Sequence, residues 1–224
     1  ALTDADMNVV VGSEALAIDT LGSGSVAIGR AALETQNFTT ASTTGNVAVG
    51  NQAGLSNTVG ESCTFIGHFS GRFATEAHSS VFVGSDAARG ITGAKLTGTQ
   101  NTAVGAQAGL VLQGAATNNS LLGFGAGKAI TTATGNTLLG VNAGDTITSG
   151  SNNVIIGVSC DVGSGGVANA IVMGDSVGAV GGGNFTFGNG TSDSNIAFGA
   201  TTITAPSDQR YKEDIADATA GLAF

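Results

Sequence analysis

Runs of three mostly apolar residues recur along this chain, each entered by a small polar residue and closed by Gly. Twelve such runs end at Gly12, Gly29, Gly50, Gly67, Gly84, Gly105, Gly123, Gly140, Gly157, Gly174, Gly188 and Gly199. Most anchors lie 17 residues apart; two spacings are 21, and the last two shrink to 14 and 11. The residue just before the anchor is apolar in all twelve runs, and the residue three before it is β-branched in ten. Side chains alternate across a strand, so these two columns share a face. The column between them, two before the anchor, faces the other way and reads Ala27, Ala48, Phe65, Phe82, Ala103, Leu121, Leu138 and Ile155 in its regular part. A strand that is apolar on both faces is covered on both. A lone coil leaves one face in water, so the pattern predicts other chains packed on the second face.

Two further columns describe the turns. Asn stands four before the anchor in eight runs, including Asn46, Asn101, Asn119, Asn136 and Asn153, where stacked amides can bond from coil to coil. A small residue stands three after the anchor in the first nine runs, such as Ala53, Ala108 and Ala143, often with Gly following. That placement implies a tight corner. No helical period competes before residue 206. The chain is therefore expected to be all-β: a repetitive parallel β-coil rod of the β-roll or β-helix type over residues 1–205, with about twelve repeats stacked about 4.8 Å apart. The four-residue insertions at 30–45 and 88–100 are expected to be exposed loops, and the shrinking spacing implies a taper or a change of symmetry near the end.

This layout resembles the head repeats of trimeric autotransporter adhesins, whose coils carry Asn-Ser-Val-Ala-Ile-Gly. The closest copies here are Gly24-Ser25-Val26-Ala27-Ile28-Gly29 and Gly45-Asn46-Val47-Ala48-Val49-Gly50. The resemblance covers most of residues 8–199 and implies a homotrimer of parallel β-coils.

Composition narrows the class. Charged residues are 10% of the chain, too few to coat a compact monomer. The net charge of −9 argues against nucleic acid and against anionic membrane as partners. No apolar run is long enough to span a bilayer as a helix. The chain opens at Ala1 without Met or a signal peptide, which reads as a processed or excised piece.

At residue 206 the composition changes. Pro206, the sole proline, precedes Ser207-Asp208-Gln209-Arg210-Tyr211-Lys212-Glu213-Asp214-Ile215, with five charged residues between 208 and 214. Ser207 or Asp208 suits a helix N-cap, so a short helical stub is expected over 206–224. The segment also resembles the first residues of the endosialidase-type intramolecular chaperone found at the C-termini of phage tail fibres: Ser207, Asp208, Arg210, Lys212 and Ile215 occupy its places. The resemblance implies a chaperone that trimerises the fibre and then cuts itself off between Ser207 and Asp208. In that chemistry Ser207 is the nucleophile and Lys212, its pKa lowered by burial or by the nearby Arg210, takes its proton. Only 17 residues follow Ser207, so most of such a chaperone is absent from this chain.

Other candidates are weaker. Cys63 and Cys160 lie five repeats apart, about 24 Å at strand spacing, beyond the reach of a disulfide, and are expected to be small buried residues. His68 and His78 lack a second pair of ligands, so no metal is assigned. Gly123-Phe124-Gly125-Ala126-Gly127-Lys128 has the look of a phosphate loop but has Leu122 for its first Gly and Ala129 where Ser or Thr is required. The glycines at 181–183 lack the acid of a calcium repeat. The Thr pairs 39–40, 43–44 and 131–132 lie in unequal loops, not in the register of an ice-binding face. Glu61, Glu76, Asp145 and Asp161 read as single, scattered acids, whereas glycan hydrolysis needs a pair.

No cofactor is expected. The partners expected are two identical chains and a host-surface glycan or protein receptor, in a tail fibre on a virion. A trimeric adhesin on a bacterial surface is the alternative, and a glycan-degrading tailspike ranks behind both. Beyond self-cleavage at the junction, no enzyme activity is expected.

Overall fold

The computed structural model describes residues 7–200. The C-terminal stub and its junction residues, Ser207, Asp208 and Lys212, lie outside this range. Within it the chain is a parallel β-solenoid of eleven coils. The early strands are β1 (Val9–Val11), β2 (Gly22–Ser23), β3 (Val26–Ile28), β4 (Ser42–Thr43), β5 (Val47–Val49), β6 (Thr64–Ile66) and β7 (Val81–Val83). There follow β8 (Thr102–Val104), β9 (Ser120–Leu122), β10 (Thr137–Leu139), β11 (Val154–Val158), β12 (Ile171–Asp175), β13 (Asn184–Gly188) and β14 (Ser194–Ala197). One twelve-stranded sheet runs β1-β3-β5 and then consecutively from β6 to β14, while β2 and β4 form a second, short parallel sheet. Every recurring run is a strand of the long sheet, and equivalent columns lie in register: Leu138 sits opposite Leu121 and Ile155. The final run differs. β14 pairs antiparallel with β13, so the shortened spacing marks a hairpin that closes the stack instead of another coil.

Through the regular coils the column two before the anchor is the inward one. Ala27, Ala48, Phe65, Phe82, Ala103, Leu121, Leu138, Ile155 and Val172 are all buried. Sizes compensate within the core. Ala27 is accompanied by buried Leu33 four after the anchor. Where the inward residue is Phe65, the position four after the anchor is Gly71, and a Cβ there would lie 2.3 Å from the Phe65 ring. Seven after the anchor the inner column changes character along the rod, from Asp19, Gln36 and Asn57 to Leu112, Ile130 and Ile147, all fully buried. The polar members are bonded: Gln36 Nε2 donates to Asp19 Oδ2 at 2.6 Å, and Asn46 Nδ2 donates to Gln36 Oε1 at 2.8 Å.

The anchor glycines hold φ between +126° and +143° through the regular coils, a region open essentially to Gly. They also stack in contact, since a Cβ on Gly123 would stand 2.3 Å from the Gly140 carbonyl oxygen. After each anchor come overlapping tight turns. In coil six the Gly105 carbonyl accepts from Ala108 N–H at 3.2 Å, the Gln107 carbonyl accepts from Leu110 N–H at 3.2 Å, and φ is near +60° at Gln107 and Gly109. Positive φ at the third residue of a hydrogen-bonded turn is the type II arrangement.

The Asn column forms the expected ladder. Asn136 N–H and Nδ2 both donate to Asn119 Oδ1, at 3.1 and 3.2 Å, and Asn153 repeats this on Asn136. Each amide also donates to a carbonyl of the next coil, as Asn136 Nδ2 does to Gly150 at 2.9 Å.

Candidate functional surfaces

Three surfaces stand out, and the largest is the outer face of the long sheet. Its two outward columns contain no charged residue across twelve strands. Leu122, Leu139 and Met173 are 50%, 43% and 42% exposed, and Phe124, Val141 and Val158 extend the apolar surface just beyond the anchors of coils seven to nine. A hollow of about 280 Å³ opens among Thr102, Val104, Ser120, Leu122, Thr137 and Leu139. At about 4.8 Å per strand, this stripe is on the order of 50 Å long. Isolated exposed apolar residues are ordinary, whereas a continuous apolar stripe is uncommon on a surface that stays in water.

The second surface is the corner of coil four. Arg72 lies over two rings, 4.6 Å from the Phe69 centroid and 4.9 Å from Phe73, and His68 stacks on Phe69 at 3.6 Å. Arg89 holds the same place on the next coil and is paired with Asp86 at 3.2 Å. The insertion at 88–100 emerges beside this corner: Leu96 N–H donates to the Phe73 carbonyl at 3.1 Å, and Ile91, Thr92, Gly93 and Lys95 are exposed. The insertion at 30–45 is only partly a loop, because Gln36 and Phe38 are buried and Ser42–Thr43 is β4.

The third surface corrects the sequence reading of the acids. Lys128 Nζ lies 2.6 Å from Asp145 Oδ2, and the Asp145 carboxyl is close enough to Asp161 to help raise its pKa. Asp145 and Asp161 are therefore a pair, brought together because coils eight and nine stack. Burial pushes the Asp161 carboxyl up, the Val162 and Thr146 donors oppose this, and Asp145 adds to the rise. Glu61 and Glu76 stay apart from this pair; Glu61 accepts from Ser42 Oγ at 2.7 Å. Periodicity could not reveal the pair, since Asp145 stands five after its anchor and Asp161 four after.

The remaining candidates resolve individually. Gly125 and Gly127 hold φ near +60° at the turn positions of their coil, which accounts for the glycines of the apparent phosphate loop. His78 Nδ1 accepts from Glu61 N–H at 3.2 Å and His68 rests on Phe69, so the two imidazoles have separate surroundings. Cys63 and Cys160 are free and buried, as expected. Burial pushes the Cys63 thiol up to about 11 and raises Cys160 as well. Among the described residues no helix is long and apolar enough to cross a membrane, and no cluster of three His, Cys, Asp or Glu could hold a metal ion. Comparison with protein-family models, curated proteins and solved structures gives no match to this chain.

Proposed function

We propose that this chain is a structural and receptor-binding segment of a phage tail fibre, assembled as a parallel homotrimer and followed by a self-cleaving chaperone junction at Ser207–Asp208. The observation that carries this reading is the uncharged, exposed outer face of the long sheet. A surface that repeats at strand spacing along the rod is matched best by a surface with the same repeat, which is a further copy of the chain. Packing three such faces about one axis covers the stripe and leaves the turns outside. The trimer number and the junction rest on the resemblances, which give Ser207 as nucleophile and Lys212 as its base; overall one water is consumed as the Ser207–Asp208 peptide bond breaks, leaving a carboxylate on Ser207 and an amine on Asp208. The rod supplies reach and stiffness, and its loops supply recognition.

Light scattering on a chain extended through a complete downstream chaperone tests the reading. The expected result is a mass three times that of one chain, with a C-terminal piece shed in the wild type and retained in Ser207→Ala. Leu122→Glu/Leu139→Glu is expected to disperse the trimer while each chain keeps its β-rich circular dichroism. A folded wild-type monomer with no shedding would overturn the reading.

A further inference from the structure

We infer that the corner of coils four and five, with the insertion beside it, is a binding site for a carboxylate-bearing glycan. The inference rests on the attachment reading above and names the ligand class and the residues. Among the described residues the other arginines have acid partners: Arg30 pairs with Glu14 at 3.4 Å and Arg89 with Asp86 at 3.2 Å, as Lys128 does with Asp145. Arg72 has none. Its Nε is buried without a hydrogen-bond partner, and its guanidinium is fixed in place by Phe69 and Phe73.

Register places a second arginine one coil away. Phe73 N–H donates to the Arg89 carbonyl at 3.0 Å, so Arg72 and Arg89 occupy the same column on consecutive coils. Lys95, exposed on the insertion, stands next to Leu96, which bonds Phe73. Asp86 is the acid paired within this corner; exposed Glu76, past Thr75, forms no ion pair, and Glu34 stands in the column of Arg72 two coils away. The corner therefore holds surplus positive charge on a chain whose net charge is −9.

That combination selects the ligand. A dense polyanion such as nucleic acid is repelled by the rest of the rod. A ligand with isolated negative groups on a largely uncharged body is not. Guanidinium groups bind carboxylates through paired N–H donors, and aromatic rings pack against the apolar C–H face of a sugar. A pre-positioned Arg loses little entropy on binding. Arg72 and Phe73 lie on the turn, five and six residues past the anchor and away from the outward strand columns, so they stay open when the sheet face is covered by other chains.

Titration of the assembled wild-type protein with oligogalacturonate and with a sialylated oligosaccharide, against neutral maltohexaose, tests the site. At least one acidic probe is expected to bind and the neutral one not, with affinity falling as salt rises. Arg72→Gln is expected to weaken binding about tenfold or more, and Arg72→Lys to recover only part, because an ammonium keeps the charge but not the planar stacking. Arg30→Gln, two coils away and at an arginine already paired with Glu14, is expected to bind as wild type, and circular dichroism checks that each variant folds. Failure of both acidic probes, equal binding of maltohexaose, equal binding of inorganic phosphate, or indifference to Arg72→Gln would each overturn the inference. Oligomeric mass is read on the same preparation. A trimer that ignores the acidic probes overturns the site alone, and a monomer that binds them overturns the fibre reading alone.

Discussion

Gly123 and Gly45 both hold positive φ, and replacing each by Ala separates two costs of the same substitution. At Gly45, with φ +60°, an added Cβ meets nothing within 4 Å. Only the left-handed backbone is penalised there, about 1 kcal/mol. At Gly123, with φ +139°, the Cβ would also strike the Gly140 carbonyl oxygen, part of the neighbouring backbone. Gly123→Ala is expected to cost more than about 3 kcal/mol, since stacked coils can yield only by separating. Urea unfolding of the two variants measures the difference; equal losses would show that the close stacking of anchors carries no weight. The Asn ladder gives a second residue-scale prediction. Asn136→Ala leaves the buried Asn153 N–H and Nδ2 without the Asn136 oxygen they share. A loss of about 2–4 kcal/mol is expected, with about 1–3 kcal/mol for each donor left unsatisfied. Both columns were legible because one residue type recurs in each. The second position after the anchor was not. Nine of its residues, among them Glu14, Gln52, Phe69 and Gln107, hold φ between +50° and +63° without being Gly. The backbone N–H there bonds the previous coil, as Gln107 does to Ser85 at 2.9 Å. That stacking bond holds the conformation whatever the side chain, so the sequence carries no mark of it.

At the scale of the element, the alternation rule identified both faces of each strand and showed that both are apolar. It did not say which faces inward, because β-branched and aliphatic residues suit either. The turn geometry decides, since the chain bends toward the column that contains Ala27, Phe65 and Leu138. Pairing between coils was equally hidden when it joined different columns, and Asp145 with Asp161 is the main case. The raised Asp161 pKa gives this pair a pH dependence of definite sign. Between the ordinary carboxylate value and the raised one, the folded chain holds more protons than the unfolded chain. This carboxyl therefore lowers stability as pH climbs through that window and keeps it lowered above. Asp161→Asn removes the charge and keeps an oxygen for Val162 N–H, but it puts an amide NH2 where Asp161 Oδ2 accepts from Thr146 N–H at 3.0 Å. Whatever that lost bond costs at every pH, the variant is expected to lack the fall in stability that this carboxyl gives wild type between pH 3 and pH 7. Urea midpoints of both proteins across this range check it, and parallel pH profiles would show that ionising Asp161 carries no cost.

At the scale of the whole molecule, strand contacts run only to the next coil, from β1 to the antiparallel β14 that closes the stack. A rod of this kind distributes stability locally, because each coil is supported by its own packing and by two neighbours. Phe65 makes the test sharp. It is fully buried, lies against Phe82 with ring centroids 5.7 Å apart, and fills the space above Gly54 and Gly71. Phe65→Ala is expected to remove about 3–5 kcal/mol, the cost of truncating a well-enclosed aromatic ring. In a single cooperative unit that loss would raise amide exchange equally everywhere. In a stack it is confined: exchange is expected to quicken across β5 to β7 and to stay near wild type in β11 and β12, at least four coils away. A uniform rise along the chain would mean that the coils fold as one body and that nearest-neighbour stacking does not describe this rod. Confined loosening would instead allow the exposed corner of coils four and five to vary in sequence without loosening the distant coils.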